Sequence, residues 1–147
     1  TDLMMNDDQV RGLHRGGMVV GAHTVSHPML ARLDDADALA ELRDSRATLQ
    51  QMTGAPVTLF AYPNGHPDED YSARTAELVR TAGFEAAVTT AWGAARRDSD
   101  PYQLPRFTPW DHTRGRFLGR MALNLRRPRE RVATAAGVPG AAALSPP

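Results

Sequence analysis

The sequence predicts an α/β fold, a partial (β/α) barrel whose parallel strands are joined by crossover helices. Three observations carry this expectation. Short apolar runs alternate with longer helical patterns along most of the chain, the signature of parallel strands with helical crossovers. Only three or four such runs are available, too few to close a barrel, so a piece of one fits better than a complete small fold. The segments HTVSHP, YPNG and the loop around Trp92 each follow a strand, where barrels carry their chemistry, and are therefore expected on one face.

Element by element, Asn6 is placed to cap a first helix, with Gln9 three residues on and apolar Val10 and Leu13 beyond. Gly16-Gly17 ends it. The run Met18–Ala22 (MVVGA) reads as a short buried strand with His23 at its C-terminal end. A long helix from about Asp34 to Met52 sets Leu39, Leu42, Arg46 and Leu49 near one face, with carboxylates in its first turns where the helix dipole favours them. Gly54 closes it, and Val57–Ala61 (VTLFA) is a second strand. A third helix spans Tyr71–Ala82 and ends at Gly83; Phe84–Thr89 is a third strand. A short final strand is expected at Leu104–Thr108. A last helix follows at Thr113–Arg126, with Phe117, Leu118, Met121 and Leu125 on its apolar side. Residues 1–127 form the expected partial domain; the Ala-, Gly- and Pro-rich residues 128–147 read as a disordered tail. Because a helical pattern begins almost at Thr1, further sequence upstream is expected.

Composition narrows the function classes. The chain has 147 residues, enough for one domain with a core, and 17 basic residues balance 17 acidic ones, so nothing global points to nucleic acid. All basic residues are Arg, which together with abundant Ala points to a GC-rich bacterial source. Without cysteine, disulfides and thiolate sites are excluded, and cytoplasm and periplasm or cell envelope fit equally. No apolar run has the length of a membrane span. The last helix carries Arg114, Arg116, Arg120, Arg126 and Arg127; a solvated basic face is the expectation, contact with an anionic surface the alternative.

His23 and His27 have the i, i+4 spacing of a metal-ligand pair. Neutral imidazoles suit Zn, Co or Ni, and two of them need a third, anionic partner. Thr24 occupies the place of a zincin glutamate, so this is not HExxH. A strand-end histidine and an unrelated loop histidine are the plainer alternative. Thr24 and Ser26 are candidates to orient the imidazoles. His14 and His66 read as solvent-facing. Trp92 and Trp110 are candidates for stacking on sugar rings, with a core or interface role as the alternative.

GAHTVSHPMLARL followed by a helix and FAYPNG resembles the polysaccharide deacetylase family (carbohydrate esterase family four, the NodB homology domain), over roughly Met4 to Phe117. His23-Thr24-Val25-Ser26-His27 matches the family's H-S/T-x-x-H motif; FAYPNG matches R-x-P-Y less fully, and LPRFTPW is similar to a segment late in some members. The resemblance implies a divalent metal, Zn first with Co or Ni as alternatives, held by His23, His27 and one Asp, with a second Asp as base. Both aspartates belong to a T-F-D-D motif, and no such run occurs here; Asp7 and Asp8 are assigned to the first turn of a helix instead. The family's base-tethering Arg aligns with Ala61, and its oxyanion-binding Tyr with Asn64, whose backbone N–H can keep that role. Arg106 is the candidate for the vacant guanidinium, a rim salt bridge its alternative. No hydrophobic-x-His pattern supplies the general acid, and His112 is the candidate left. The implied reaction removes N-acetyl groups from an amino-sugar polysaccharide, the chain alone being inactive without the aspartates. An O-acetyl carbohydrate esterase and a catalytically dead sugar-binding or scaffold remnant are the rivals.

Overall fold

The computed structural model describes residues 4–107, 110–126 and 132–134. Helix α1 (Asp7–Arg15) starts as its sequence demands: Gln9 N donates to Asn6 Oδ1 at 3.0 Å, and Asn6 N donates to Gln9 Oε1 at 2.9 Å. Two otherwise orphaned helix-end donors are thereby satisfied. Asp7 and Asp8 stand in its first turn and pair with Arg11, as expected for helix residues. Arg11 Nε also donates to Met52 O at 3.2 Å, which ties α1 to the next helix.

The stretch after α1 corrects one expectation. Of the predicted buried strand Met18–Ala22, only Ala22 bridges to a neighbour and is buried; Met18 and Val19 are 62% and 78% exposed. Val20 between them and the bridge is half-buried.

Helix α2 (Asp35–Thr53) is capped by Asp34, whose Oδ1 accepts from Asp37 N, and ends at Gly54 in the left-handed region, φ 68°. Its inward stripe is Ala38, Leu42 and Ser45, with Leu39 and Leu49 partly buried beside it. Strand β1 (Leu59–Ala61) lies parallel to β2 (Ala86–Val88), with Leu59, Phe60 and Ala61 opposite Ala86, Ala87 and Val88. Helix α3 (Ala73–Thr81) makes the crossover between them, started by a Ser72–Thr75 capping box. Ala22 extends the sheet on the β1 side and Leu104 on the β2 side, both in parallel. Four parallel segments in the order of the chain result, and with the helical crossover they form a partial β/α barrel.

The sheet has two unlike faces. Ala22, Phe60 and Ala87 are buried in the core with Leu42, Val79 and Phe84. Phe60 packs edge-on against Tyr62 and tilted against Phe84, and Tyr62 stacks on Tyr71 at 4.1 Å. The alternate residues Gly21, His23, Leu59, Ala61, Ala86 and Val88, with Leu104, line a hollow of about 330 Å³ that Ala22 and Phe60 also border. Strand alternation assigns these two sets to opposite faces.

The final strand is also shorter than expected. Pro105 has no N–H to continue the ladder, and Arg106 N donates to Ala91 O instead. Only Leu104 pairs; Thr108 lies outside the described residues. Helix α4 (Arg114–Leu125) forms where predicted, but its apolar side is not a core face: Leu118 and Leu125 are 64% and 65% exposed, and the buried residue is Asn124. Asn124 Nδ2 donates to Gly93 O at 2.8 Å. Within the stretch expected to be a disordered tail, residues 132–134 are described. Ala133 is 4% exposed and its N–H donates to Gln103 Oε1, while Thr134 N donates to Asp68 Oδ1. The rest of 128–147 lies outside the described residues. No helix among the described residues is long and apolar enough to cross a membrane.

Candidate active site

Because the segments are parallel, the loops after Ala22, after β1 and after β2 leave the sheet at the same end, as the sequence predicted. His23 follows Ala22 directly. Its Nδ1 lies 2.7 Å from Ala61 O, and since a carbonyl can only accept, Nδ1 carries the proton. Nε2 is then the basic nitrogen with its lone pair available. The His23 and His27 rings face each other edge-on, centres 4.8 Å apart at 76°. Two imidazoles on one tetrahedral ion, with metal–nitrogen bonds of about 2.0–2.1 Å, would place their centres roughly 5 Å apart. The pair therefore has the spacing of two ligands. No group of three His, Cys, Asp or Glu side chains among the described residues is arranged to hold an ion. These histidines fit a metal as two donors of an incomplete set.

The loop holding them is strained. Thr24 and His27 sit at φ 65° and 58°, a region that costs a non-glycine residue about 1–3 kcal/mol. Thr24 and Ser26 do not orient the rings, contrary to expectation. Thr24 Oγ1 bonds His23 O and accepts from His27 N at 3.1 Å, and Ser26 Oγ donates to Glu41 Oε1 at 2.6 Å. Glu41 Oε2 accepts from Val25 N and Ser26 N at 2.7 and 3.0 Å. Desolvation pushes the Glu41 carboxyl up, but these donors, Ser26 Oγ foremost, outweigh it and hold the group below its ordinary value.

Sequence reasoning missed Glu41, seeing in the carboxylates of α2 only partners of the helix dipole. A signal existed: position 41 falls three residues from Ala38 and four from Ser45, on the inward stripe of α2, where a carboxylate needs donors to face. It also missed Ala61 as a contributor. The resemblance makes that position a lost arginine, yet its main-chain carbonyl fixes the His23 tautomer.

YPNG forms the neighbouring loop. Asn64 and Gly65 are both left-handed, φ 56° and 80°. A Cβ on Gly65 would stand 2.9 Å from Thr90 N, so only glycine fits there. Asn64 is exposed, its carbonyl accepts from Thr90 Oγ1 at 2.7 Å, and its N–H has no acceptor among the described residues. That leaves a main-chain donor at the sheet end where His23 stands.

The other candidates are not brought to the pair. Arg106 is exposed, without an ion pair among the described residues and outside the His23-lined hollow. His112 is exposed ahead of α4, beside the Asp111–Arg120 ion pair, and makes no described contact with either histidine. His66 is exposed but bonded through Nδ1 to buried Asp70 at 2.8 Å, and His14 is half-buried rather than solvent-facing. Trp92 is 38% exposed and edge-on to Phe107; Trp110 is 75% exposed.

The sequence profile of the polysaccharide deacetylase family matches residues 3–87, more than half of the chain, and the chain belongs to that family. It is 28% identical over 102 residues to YxkH of Bacillus subtilis, whose name places it among polysaccharide deacetylases. The match covers 69% of this chain and 35% of YxkH. Among solved structures, the Streptococcus pyogenes deacetylase PplD in complex with acetate superposes with a TM-score of 0.65 at 25% identity, over 70% of this chain and 44% of PplD. IcaB from Ammonifex degensii superposes at 0.63 with 22% identity, over 81% of this chain and 52% of its own, a likeness of fold. The chain thus spans about a third of YxkH and under half of PplD.

Proposed function

We propose that this chain carries the histidine half of the active site of a metal-dependent hydrolase that removes N-acetyl groups from an amino-sugar polysaccharide. The observation that supports it most is the His23–His27 pair, ring centres 4.8 Å apart, with His23 protonated on Nδ1 by its bond to Ala61 O. A main-chain carbonyl that fixes the tautomer is a usual support of a metal-ligating histidine. His23 Nε2 and the His27 ring would hold a divalent ion, Zn first by ligand type, and such an ion when bound polarises an acyl oxygen and makes water acidic. The Asn64 N–H would donate to the oxygen that gains negative charge as the acyl group is attacked. A proton-accepting carboxylate and an anionic ligand are still required. The resemblance assigns both to a T-F-D-D motif that these 147 residues do not contain, so the isolated chain should bind Zn²⁺ weakly and deacetylate nothing.

Calorimetric titration with Zn²⁺, alongside an assay on N-acetylated chito-oligosaccharide, tests this reading. The expected result is weak Zn²⁺ binding that His23→Ala abolishes, with no acetate released. Turnover by the 147-residue chain that His23→Ala abolishes would show that base and third ligand are present after all. Zn²⁺ binding unaffected by His23→Ala would remove the metal site.

A further inference from the structure

We infer that Glu41 is the positioning residue of the histidine pair, its carboxylate holding the His23–His27 loop in the one conformation that brings the two rings together. The inference rests on the metal-site reading for its purpose, but not for its geometry.

This five-residue loop leaves the common backbone regions twice, at Thr24 and His27. Neither is Gly or Asn, so nothing intrinsic favours those conformations, and outside contacts must impose them. Two contacts are internal: Thr24 Oγ1 to His23 O and His27 N to Thr24 Oγ1. They cap the loop on itself without anchoring it to the fold. Among the described residues, the three bonds from the loop's middle to another element all go to Glu41: Val25 N and Ser26 N to Oε2, Ser26 Oγ to Oε1. Both carboxylate oxygens are engaged, the arrangement in which an ionised acceptor orients most strongly. Glu41 stands on α2 between buried Ala38 and Leu42, so it transmits the position of a packed helix to the loop tip. At the loop's other end Ala61 O fixes the His23 ring. The pair is therefore held from two elements, β1 setting one ring and α2 the turn that returns the other.

Two readouts on the full 147-residue chain test the inference. In the metal-free protein, the nuclear Overhauser effect between the His23 and His27 ring protons reports the pairing directly. It should be present in the parent, absent in Glu41→Ala and in Glu41→Asp, whose carboxylate falls a methylene short, and largely restored in Glu41→Gln. Ser26→Ala, which deletes one of the three bonds, should weaken it without abolishing it. Zn²⁺ affinity should follow the same order, with Glu41→Ala about 10–100-fold weaker than the parent, the usual cost of removing such support. Unchanged core methyl and Tyr62–Tyr71 aromatic signals confirm that each variant is folded. An undiminished ring-to-ring signal in folded Glu41→Ala, or none in the parent, overturns the inference. If the signal disappears in Glu41→Ala while parent and His23→Ala bind Zn²⁺ alike, the metal-site reading falls and the positioning role stands.

Discussion

The two faces of the parallel sheet are built from neighbouring residues and serve opposite ends. On one, Ala22, Phe60 and Ala87 disappear beneath the helices, and aromatic rings fill the space between. On the other, Leu59 is 42% exposed one residue from Phe60, which is 2% exposed, and His23 stands one residue from buried Ala22. The buried face gives the sheet its stability; the open face carries His23 and a hollow of about 330 Å³. The two-residue period of a strand sets which face His23 leaves from; the Ala61 carbonyl and the Glu41 carboxylate then fix its ring and the loop beyond it.

Mutations can break this comparison or sharpen it. The largest effect is expected at Phe60→Ala, which should lower unfolding free energy by about 3–5 kcal/mol, against less than about 0.5 kcal/mol for Leu59→Ala. Urea denaturation of both variants decides it: equal losses would mean the two faces are equally packed. Next come the cations. Arg46 Nε and Nη1 donate to Val57 O and Ala82 O, at 2.9 and 3.1 Å, so Arg46→Ala strands two carbonyls and should cost about 1–3 kcal/mol. Arg106→Ala, at an exposed position, should leave the melting temperature unchanged. A smaller effect belongs to the loop after β1. Asn64 is left-handed, so Asn64→Ala should cost about 1 kcal/mol and Asn64→Gly almost nothing, while both keep the main-chain donor.

The smallest effect is a slope. Glu41 is held below its ordinary value of about 4.3 when folded, so its bonds stabilise the fold fully above that pH. The contribution fades as pH falls through the lowered folded value, where the folded carboxylate takes up its proton. Thermal melts of the parent between pH 6 and 3 should fall more steeply than those of Glu41→Gln; parallel curves would disprove it.

Helices were legible in the sequence because their signals are local. Asn6 with Gln9, the helix start at Asp34, and Gly54 each mark a boundary that the structure keeps to within a residue. Strand extents were not. MVVGA reads as buried on composition, but burial of Met18 and Val19 depends on what lies across the sheet, and Pro105 stops a ladder that apolar residues alone would continue. Spacing found the histidine pair, since four residues suffice to return one imidazole to another. What holds it lay out of reach: Glu41 acts across 15 and 16 positions, and Ala61 through a carbonyl that every residue type shares.

The bond from Thr134 N to Asp68 Oδ1 closes a loop across 66 positions, and that from Ala133 N to Gln103 Oε1 one across 30. Chain closure over such distances costs entropy before any interaction repays it, whereas the caps of α1, α2 and α3 form within a few residues. Residues 132–134 are therefore expected to dock after α3 and the turn carrying Asp68 have formed a surface for them.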